Sequence, residues 1–238
     1  NRGNRHRFGM RAVPPAGLAS PIDLRGDVRG ESLQVLSEWN GRLFLQLDHV
    51  DLAAWSPWID IPIEVARGAG GLRSWLTFSR DALSEIVADV RLSSVQTRLR
   101  KDLPQLELDR LGGRLAWKQL PEGFEFSTAG LALGGATTLA PLDFRVRMTT
   151  DRQGIEQGEA NANAVDLAPL VVLADRLPLA KSLRVPLAAF SPRGRVNDVT
   201  VKWKGEWPAP ETYSVRGSFS DLAFNRGENV PGLSGLTG

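Results

Sequence analysis

The sequence contains no cysteine and only two histidines, His6 and His49, among 238 residues. Without cysteine the chain has no disulfide, no thiolate metal ligand and no cysteine nucleophile. Two histidines 43 residues apart do not supply the cysteine and histidine ligands that a zinc site usually takes. We therefore interpret both histidines as structural or solvated side chains, and we expect no cofactor. The lack of cysteine is compatible with a reducing cytosol and with an oxidising periplasm.

Long hydrophobic runs are also absent. The longest, residues 167–174, has only eight residues, whereas a helix that crosses a bilayer needs about 20. The first 17 residues are charged and have no hydrophobic centre, so they do not form a signal peptide. The chain starts without methionine and stops in a segment typical of the approach to another strand, and we expect it to be a fragment of a longer protein. A net charge of +2 with a pI near 9.3 is weak evidence for nucleic-acid binding.

The motifs of the common enzyme classes are missing as well. No G-x-S-x-G nucleophile elbow occurs, and the acidic loop of a calcium site is absent. The glycine-rich segment ARGAGGLRSW, residues 66–75, is neither a dinucleotide-binding fingerprint nor a phosphate-binding loop, so we predict a turn there. These absences argue against an enzyme.

Two carboxylate pairs and seven tryptophans are the remaining candidates for chemistry. A glycosidase could use Glu107 with Asp109, or Glu122 with Glu125, but no sugar-stacking platform accompanies them. We interpret these carboxylates as the solvent-facing side of strands. We assign the tryptophans to core packing, because they are scattered without interleaved basic residues; they are Trp39, Trp55, Trp58, Trp75, Trp117, Trp203 and Trp207.

Alternation of apolar and polar residues dominates the chain. In PIDLRGDVRG, residues 21–30, the apolar side chains Ile22, Leu24 and Val28 alternate with charged ones, which is typical of a strand with one face in water. The same pattern occurs in RLFLQLDHV (42–50) and EIVADVRLSS (85–94). Hairpin turns are predicted at LPEG (120–123) and DRQG (151–154), and a further strand pair over residues 196–224. This pattern predicts antiparallel sheet.

Two short helices are predicted where the letters VDLA occur, at residues 50–53 and 165–168. Each follows an alternating strand, begins with an aspartate in the N-cap position, Asp51 or Asp166, and ends near a proline. We predict helices near 51–58 and 166–177. The repeated phrase indicates two related units: a first β unit over 16–140 and a second over 141–238, after a basic, poorly ordered lead-in over 1–15.

Several segments together resemble the YhdP family, within the AsmA-like group of bacterial envelope proteins. They are PIDLRGDVRG, RLFLQLDHVDLAAWSPWI, LRSWLTFS, LPQLELDRLGGRLAWKQLPEGFEFSTAGLAL, VDLAPLVVLADRLPL, FSPRGRVNDVTVKWKGEW and FNRGENVPGLSGLTG. The resemblance covers nearly the whole chain in the family's order. It implies repeated β units curled into a taco-like groove in the periplasm, an inner-membrane anchor elsewhere in the protein, and movement of phospholipid between the inner and outer membranes. It implies no catalytic motif.

The expected fold is therefore mainly β, an extended, curved antiparallel sheet with two or so short helices, and a β-sandwich is the alternative. A sandwich produces the same alternation, because two sheets bury their faces against each other. The expected function is a non-catalytic lipid conduit, with a structural or docking β domain of the envelope as the alternative. From alternation we assign to the groove Leu43, Leu45, Leu47, Ile86, Val90, Leu92, Leu115, Trp117, Phe124, Phe126, Phe144 and Val146.

Overall fold

The computed structural model describes residues 4–15, 17–30, 40–57, 63–79, 82–179, 181–207, 209–227 and 231–238. The strands within these ranges are β1 Arg5–Ala12, β2 Ile22–Arg29, β3 Asn40–Asp51, β4 Glu64–Ser79, β5 Ala82–Arg98, β6 Leu106–Leu120, β7 Gly123–Gly134, β8 Leu139–Thr150, β9 Glu156–Asp166, β10 Arg193–Lys204, β11 Thr212–Phe224 and β12 Leu233–Leu236. The helices are α1 Leu52–Trp55, α2 Leu167–Leu173 and α3 Lys181–Phe190.

All twelve strands belong to one antiparallel sheet, and their order in the sheet is their order in the chain. Each strand pairs with its chain neighbours, so the topology is a continuous meander. The described residues contain no second sheet packed on the first. The predicted mainly β, open antiparallel sheet is confirmed, and the β-sandwich alternative does not hold for these residues.

The sheet has one apolar and one polar face, because every strand alternates and the registers keep like side chains together. Many apolar side chains are half-buried although no second sheet covers them. This burial is consistent with a sheet that curves around its apolar face. Several strands carry bulges; Ser94 in β5 and Asp198 in β10 have φ of 51° and 49°, in the left-handed region where such irregularities arise.

The predicted hairpin turns at 120–123 and 151–154 join β6 to β7 and β8 to β9, and the predicted late strand pair is β10 with β11. The glycine-rich segment over 66–75 lies inside β4 and is not a turn. Its glycines sit at bulges in the β3 and β4 pairings, and an alanine Cβ at Gly70 would lie 2.0 Å from the carbonyl oxygen of Arg91. Close approach of the neighbouring strand, not chain reversal, explains the glycine there.

Residues 5–12 of the predicted poorly ordered lead-in over 1–15 form strand β1, which pairs with all of β2, and residues 1–3 lie outside the described residues. Arginines at positions 5, 7 and 11 made this segment resemble a basic tail. In the sheet, however, Arg5 and Arg7 face Asp27, while His6, Phe8 and Met10 alternate with them. The boundary predicted between residues 140 and 141 falls inside β8, where the sheet continues without interruption.

The two VDLA phrases lie at the same end of the sheet, at the ends of β3 and β9. Asp51 accepts hydrogen bonds from the backbone N–H groups of Ala53 and Ala54, and Asp166 accepts one from Ala168. The predicted caps are confirmed. The helices are shorter than the predicted 51–58 and 166–177; the end of the first prediction, 58, lies outside the described residues. Helix α3 was not predicted; it contains Pro186.

The most buried part of the protein lies at this same end. Val95, Leu106, Leu108, Leu133 and Leu139 come from four adjacent strands, β5 to β8, and Leu173 of α2 packs among them. Helix α2 follows β9 and therefore reaches back over its neighbours to cover the end of the sheet. One end of strands β5 to β8 is thus covered by a helix.

Candidate functional site: the apolar face

A row of directly paired apolar residues crosses the sheet from β1 to β11. Each member pairs with the next across neighbouring strands, and none has a polar side chain. This apolar row consists of Phe8, Gly26, Leu43, Leu76, Ile86, Trp117, Phe126, Val146, Ala160, Val201 and Val215. Ten strand spacings of about 4.8 Å each make it about 48 Å long.

A second row lies beside it, two residues along each strand. It runs from Met10 through Leu24, Leu45, Ser74, Ala88, Leu115, Thr128, Phe144 and Ala162 to Val199. Its polar members are Ser74 and Thr128, both buried. The hydroxyl of Thr128 donates to the carbonyl of Leu142 and accepts from the N–H of Phe144. The Thr128 hydroxyl is therefore satisfied internally, and the other members of the row apart from Ser74 have apolar side chains.

The registers bring all the predicted groove residues onto this one face. Leu43, Ile86, Trp117, Phe126 and Val146 belong to the apolar row. The second row contains Leu45, Leu115 and Phe144, and the positions flanking the two rows hold Leu47, Val90, Leu92 and Phe124. Their common face is now a structural fact, whereas their contact with lipid remains a prediction.

The predicted residues differ in accessibility. Leu47 and Val90 are buried, and Leu92 packs against the buried cluster beneath α2. Phe124, at the opposite end of the strands, is exposed. The accessible part of the apolar face therefore lies toward the end of the strands that α2 leaves uncovered.

Alternation also placed residues on this face that the prediction omitted. Phe8 and Met10 were assigned to the lead-in, and Leu72 and Leu76 are separated by a serine that weakens the pattern. Val201 and Val215 lie in strands that were recognised but not assigned to the groove. The alternation of apolar and polar residues is present in each of these strands, so the sequence contains the signal that places these residues on the apolar face.

The opposite face carries a charged row that parallels the apolar row one residue away along each strand. It consists of Arg7, Asp27, Arg42, Thr77, Glu85, Lys118, Glu125, Arg147, Glu159, Lys202 and Ser214. From Glu85 to Lys202 the sign of the charge alternates at every strand. Opposite charges in directly paired positions stabilise an antiparallel pairing modestly. They also fix which face meets water.

Ion pairs on this polar face have at least one exposed partner and are individually weak. Arg147 lies 3.0 Å from Glu125, and Lys202 lies 3.5 Å from Glu159. The strongest effect is at Asp27, where hydrogen bonds from Arg5, with Arg7 adding to them, lower the pKa from 3.8 to about 2. A hydrogen bond from Arg114 likewise lowers the pKa of Asp89. These carboxylates are structural partners of arginines and are not poised as general acids or bases.

Two aromatic side chains lie on the polar face rather than on the apolar one. Phe44 and Trp75 pair across β3 and β4, with ring centroids 5.4 Å apart. The guanidinium of Arg114 lies 5.6 Å from the Trp75 ring, and that of Arg25 lies 5.8 Å from Phe44. Arginine stacking covers rings that would otherwise be exposed. Core packing is thus the wrong interpretation for Trp75, although Trp203 is buried as that interpretation requires.

The described residues contain no cluster of three or more histidine, aspartate or glutamate side chains placed to hold a metal ion. In the same residues no helix has the length and hydropathy needed to span a membrane. The carboxylates predicted to face solvent, Glu107 and Asp109, are exposed positions of β6.

One protein family matches this sequence along its whole length. The family model is described as YhdP protein and covers residues 1–238. No curated protein and no solved structure matches the chain.

Proposed function

The chain belongs to the YhdP family, and we propose from this membership and from its apolar face that it is a periplasmic segment of an AsmA-like envelope protein that carries phospholipid between the inner and outer membranes. The role is non-catalytic. Membership alone suggests an AsmA-like envelope protein. The proposal adds that the protein transports phospholipid and that the lipid moves along the apolar face.

The observation that carries the proposal is the apolar row. Exposing one methylene group to water costs about 0.8 kcal/mol. Exposing a whole acyl chain of about 16 carbons therefore costs roughly 12 kcal/mol. A charge-free row crossing eleven strands offers continuous apolar contact from one side of the sheet to the other. The acyl chain would leave the side chains of one strand as it contacts those of the next strand, without being exposed to water in between.

The single-layered sheet supports the same conclusion. In a sandwich the apolar row would be covered by a second sheet and would form a core. Here the described residues contain no such sheet, and the members of the row are mostly half-buried rather than fully buried. Aliphatic and aromatic side chains without charged anchors suit passage more than tight binding.

Native mass spectrometry after mild purification tests the proposal. Phospholipid should co-purify with the chain, and Phe126→Asp, which places a charge in the apolar row, should remove it while the melting temperature shows a folded protein. The neighbouring substitution Ser127→Asp is the matched control. Ser127 is the next residue of β7 and faces the opposite way, toward Ala116 and Arg145, so this variant should retain lipid.

A wild-type chain that is free of lipid would contradict the proposal. If Phe126→Asp also unfolds, the result would support the alternative, a structural or docking β domain whose apolar face is packed rather than open to lipid.

A further inference from the structure

We propose that strand β9 forms a lane for a single acyl chain, and that the buried indole N–H of Trp203 donates a hydrogen bond to the ester carbonyl at one end of that chain. This inference rests on the proposed function, since it assigns one lipid position within the apolar face. It specifies the ligand as an acyl ester.

Small side chains make β9 lower than the strands on either side of it on the apolar face. Gly158, Ala160 and Ala162 face the apolar side, and they alternate with polar residues of the other face. The strands on both sides carry larger groups at the paired positions. On β8 these are Met148, Val146 and Phe144, and on β10 they are Trp203, Val201 and Val199. The result is a lane one strand wide that is open over Ala160 and Ala162 and ends where the Trp203 ring covers Gly158.

Trp203 closes one end of this lane. An alanine Cβ placed on Gly158 would lie 1.9 Å from Cζ2 and 2.1 Å from Cε2 of the indole. The ring therefore rests directly on the backbone of Gly158, and Cε2 is the carbon that carries Nε1. The second tryptophan of this region, Trp207, packs on Trp203 with ring centroids 5.1 Å apart.

The indole nitrogen of Trp203 is an independent indication of a ligand. The residue is only 9% exposed, and its Nε1 is buried with no hydrogen-bond partner among the described residues. Buried indole N–H groups normally have an acceptor, because leaving such a donor unpaired costs free energy. An acceptor that arrives with a ligand at the Gly158 end of the lane would satisfy it.

These features together define the chemistry of the ligand. It must be apolar and narrow along its length, since the lane and its walls carry no charged side chain. It must also carry an uncharged oxygen acceptor at one end, since the donor is a neutral N–H. An acyl chain joined through an ester carbonyl has both properties, whereas an ether-linked alkyl chain lacks the carbonyl and offers only the weaker ether oxygen as an acceptor.

Calorimetric titration with two probes tests the inference. The probes are a lysophosphatidylglycerol with an ester-linked 16-carbon chain and its ether-linked analogue, both used below their micelle concentrations. The wild-type chain should bind the ester about fivefold more tightly, the effect of one neutral hydrogen bond. Trp203→Phe keeps a ring over Gly158 but removes the donor, so it should bind both probes equally.

A second variant tests the lane without touching the donor. Ala160→Leu fills the middle of the lane and should weaken the binding of both probes at least tenfold. Ala116→Leu adds the same volume on the polar face, where Ala116 pairs with Val87 and Ser127, and should bind like wild type. The melting temperature of each variant verifies its fold.

The outcomes separate this inference from the proposed function. If wild type binds ester and ether equally, the Trp203 hydrogen bond is excluded. If wild type carries co-purified phospholipid but Ala160→Leu binds both probes normally, the lane is wrong and the conduit stands. If wild type neither co-purifies with lipid nor binds either probe, both proposals fail.

Discussion

Asp51 and Asp166 occupy equivalent positions six strands apart, each at the end of a strand that points to the same end of the sheet and each capping the helix that follows. Strands β3 and β9 run in the same direction because an even number of antiparallel reversals separates them. The repeated VDLA phrase thus marks a structural repeat of the meander. A phrase of four letters is sufficient because it contains the last strand residue, the cap and the first helical turn.

The cap of α2 is expected to contribute measurably to stability. Asp166→Ala removes the acceptor of the Ala168 N–H and should lower the free energy of unfolding by about 1 kcal/mol. Asp166→Asn keeps an acceptor oxygen and should cost much less. Urea denaturation of the three proteins checks this. Equal stability of wild type and Asp166→Ala would mean that α2 is held by its packing alone.

Leu173 is expected to be the residue that holds α2 on the sheet. It is 4% exposed and lies in the buried cluster, whereas its neighbour Val172 is 54% exposed. Leu173→Ala should lower the free energy of unfolding by about 2–5 kcal/mol because it leaves a cavity among four strands. Val172→Ala should change it by less than about 0.5 kcal/mol. Denaturation midpoints of the two variants provide the comparison, and similar losses would contradict the placement of α2.

Gly123 should not tolerate a side chain. An alanine Cβ there would lie 1.9 Å from the backbone carbonyl oxygen of Met148, so the β7 and β8 strands would have to separate. We expect Gly123→Ala to cost about 1–3 kcal/mol. Gly9→Ala is the control, because no atom lies within 4 Å of a Cβ at that strand position, and restriction of the unfolded chain should make it neutral or slightly stabilising. Thermal melts distinguish the two.

Asp27 is expected to make the stability of the β1 and β2 pair depend on acid pH. Its pKa is lowered from 3.8 to about 2 in the folded protein, so its contribution is complete above the unfolded pKa and is lost as pH falls through the folded one. Stability should therefore decrease between about pH 4 and pH 2. Arg5→Ala should raise the pKa of Asp27 toward its ordinary value. NMR titration of the Asp27 carboxyl measures both effects, and an ordinary pKa in wild type would exclude the pairing.

Alternation predicted the sheet and its faces because a strand's side-chain period is fixed by backbone geometry. Leu43, Leu45 and Leu47 could be placed on one face from the sequence alone. The same pattern could not distinguish an open sheet from a sandwich, since either arrangement hides one face of each strand. That distinction depends on which strands pair, and strand order is not encoded in the period.

The incorrect predictions share a physical cause, which is that tertiary contacts change the meaning of local residues. Gly70 and Gly71 resemble a turn but lie in β4, where the neighbouring strand approaches closely. The arginines of β1 resemble a disordered basic segment until Asp27 is placed opposite them. Helix α3, which no local pattern predicted, contains Pro186. The exceptional position of Trp203 was likewise hidden, because its significance depends on Gly158, 45 residues earlier in the chain.

The consecutive strand order has a consequence for how the molecule assembles. When every ladder joins adjacent chain segments, stability is close to a sum of nearest-neighbour terms, and structure can nucleate at any hairpin and propagate outward like a zipper. Unfolding should accordingly begin at the edge strands of the sheet. Whole hairpins can be gained by duplication or lost by deletion of a gene segment without disturbing distant pairings. Such a design lets evolution adjust the span of the protein in steps of about 10 Å, two strands at a time.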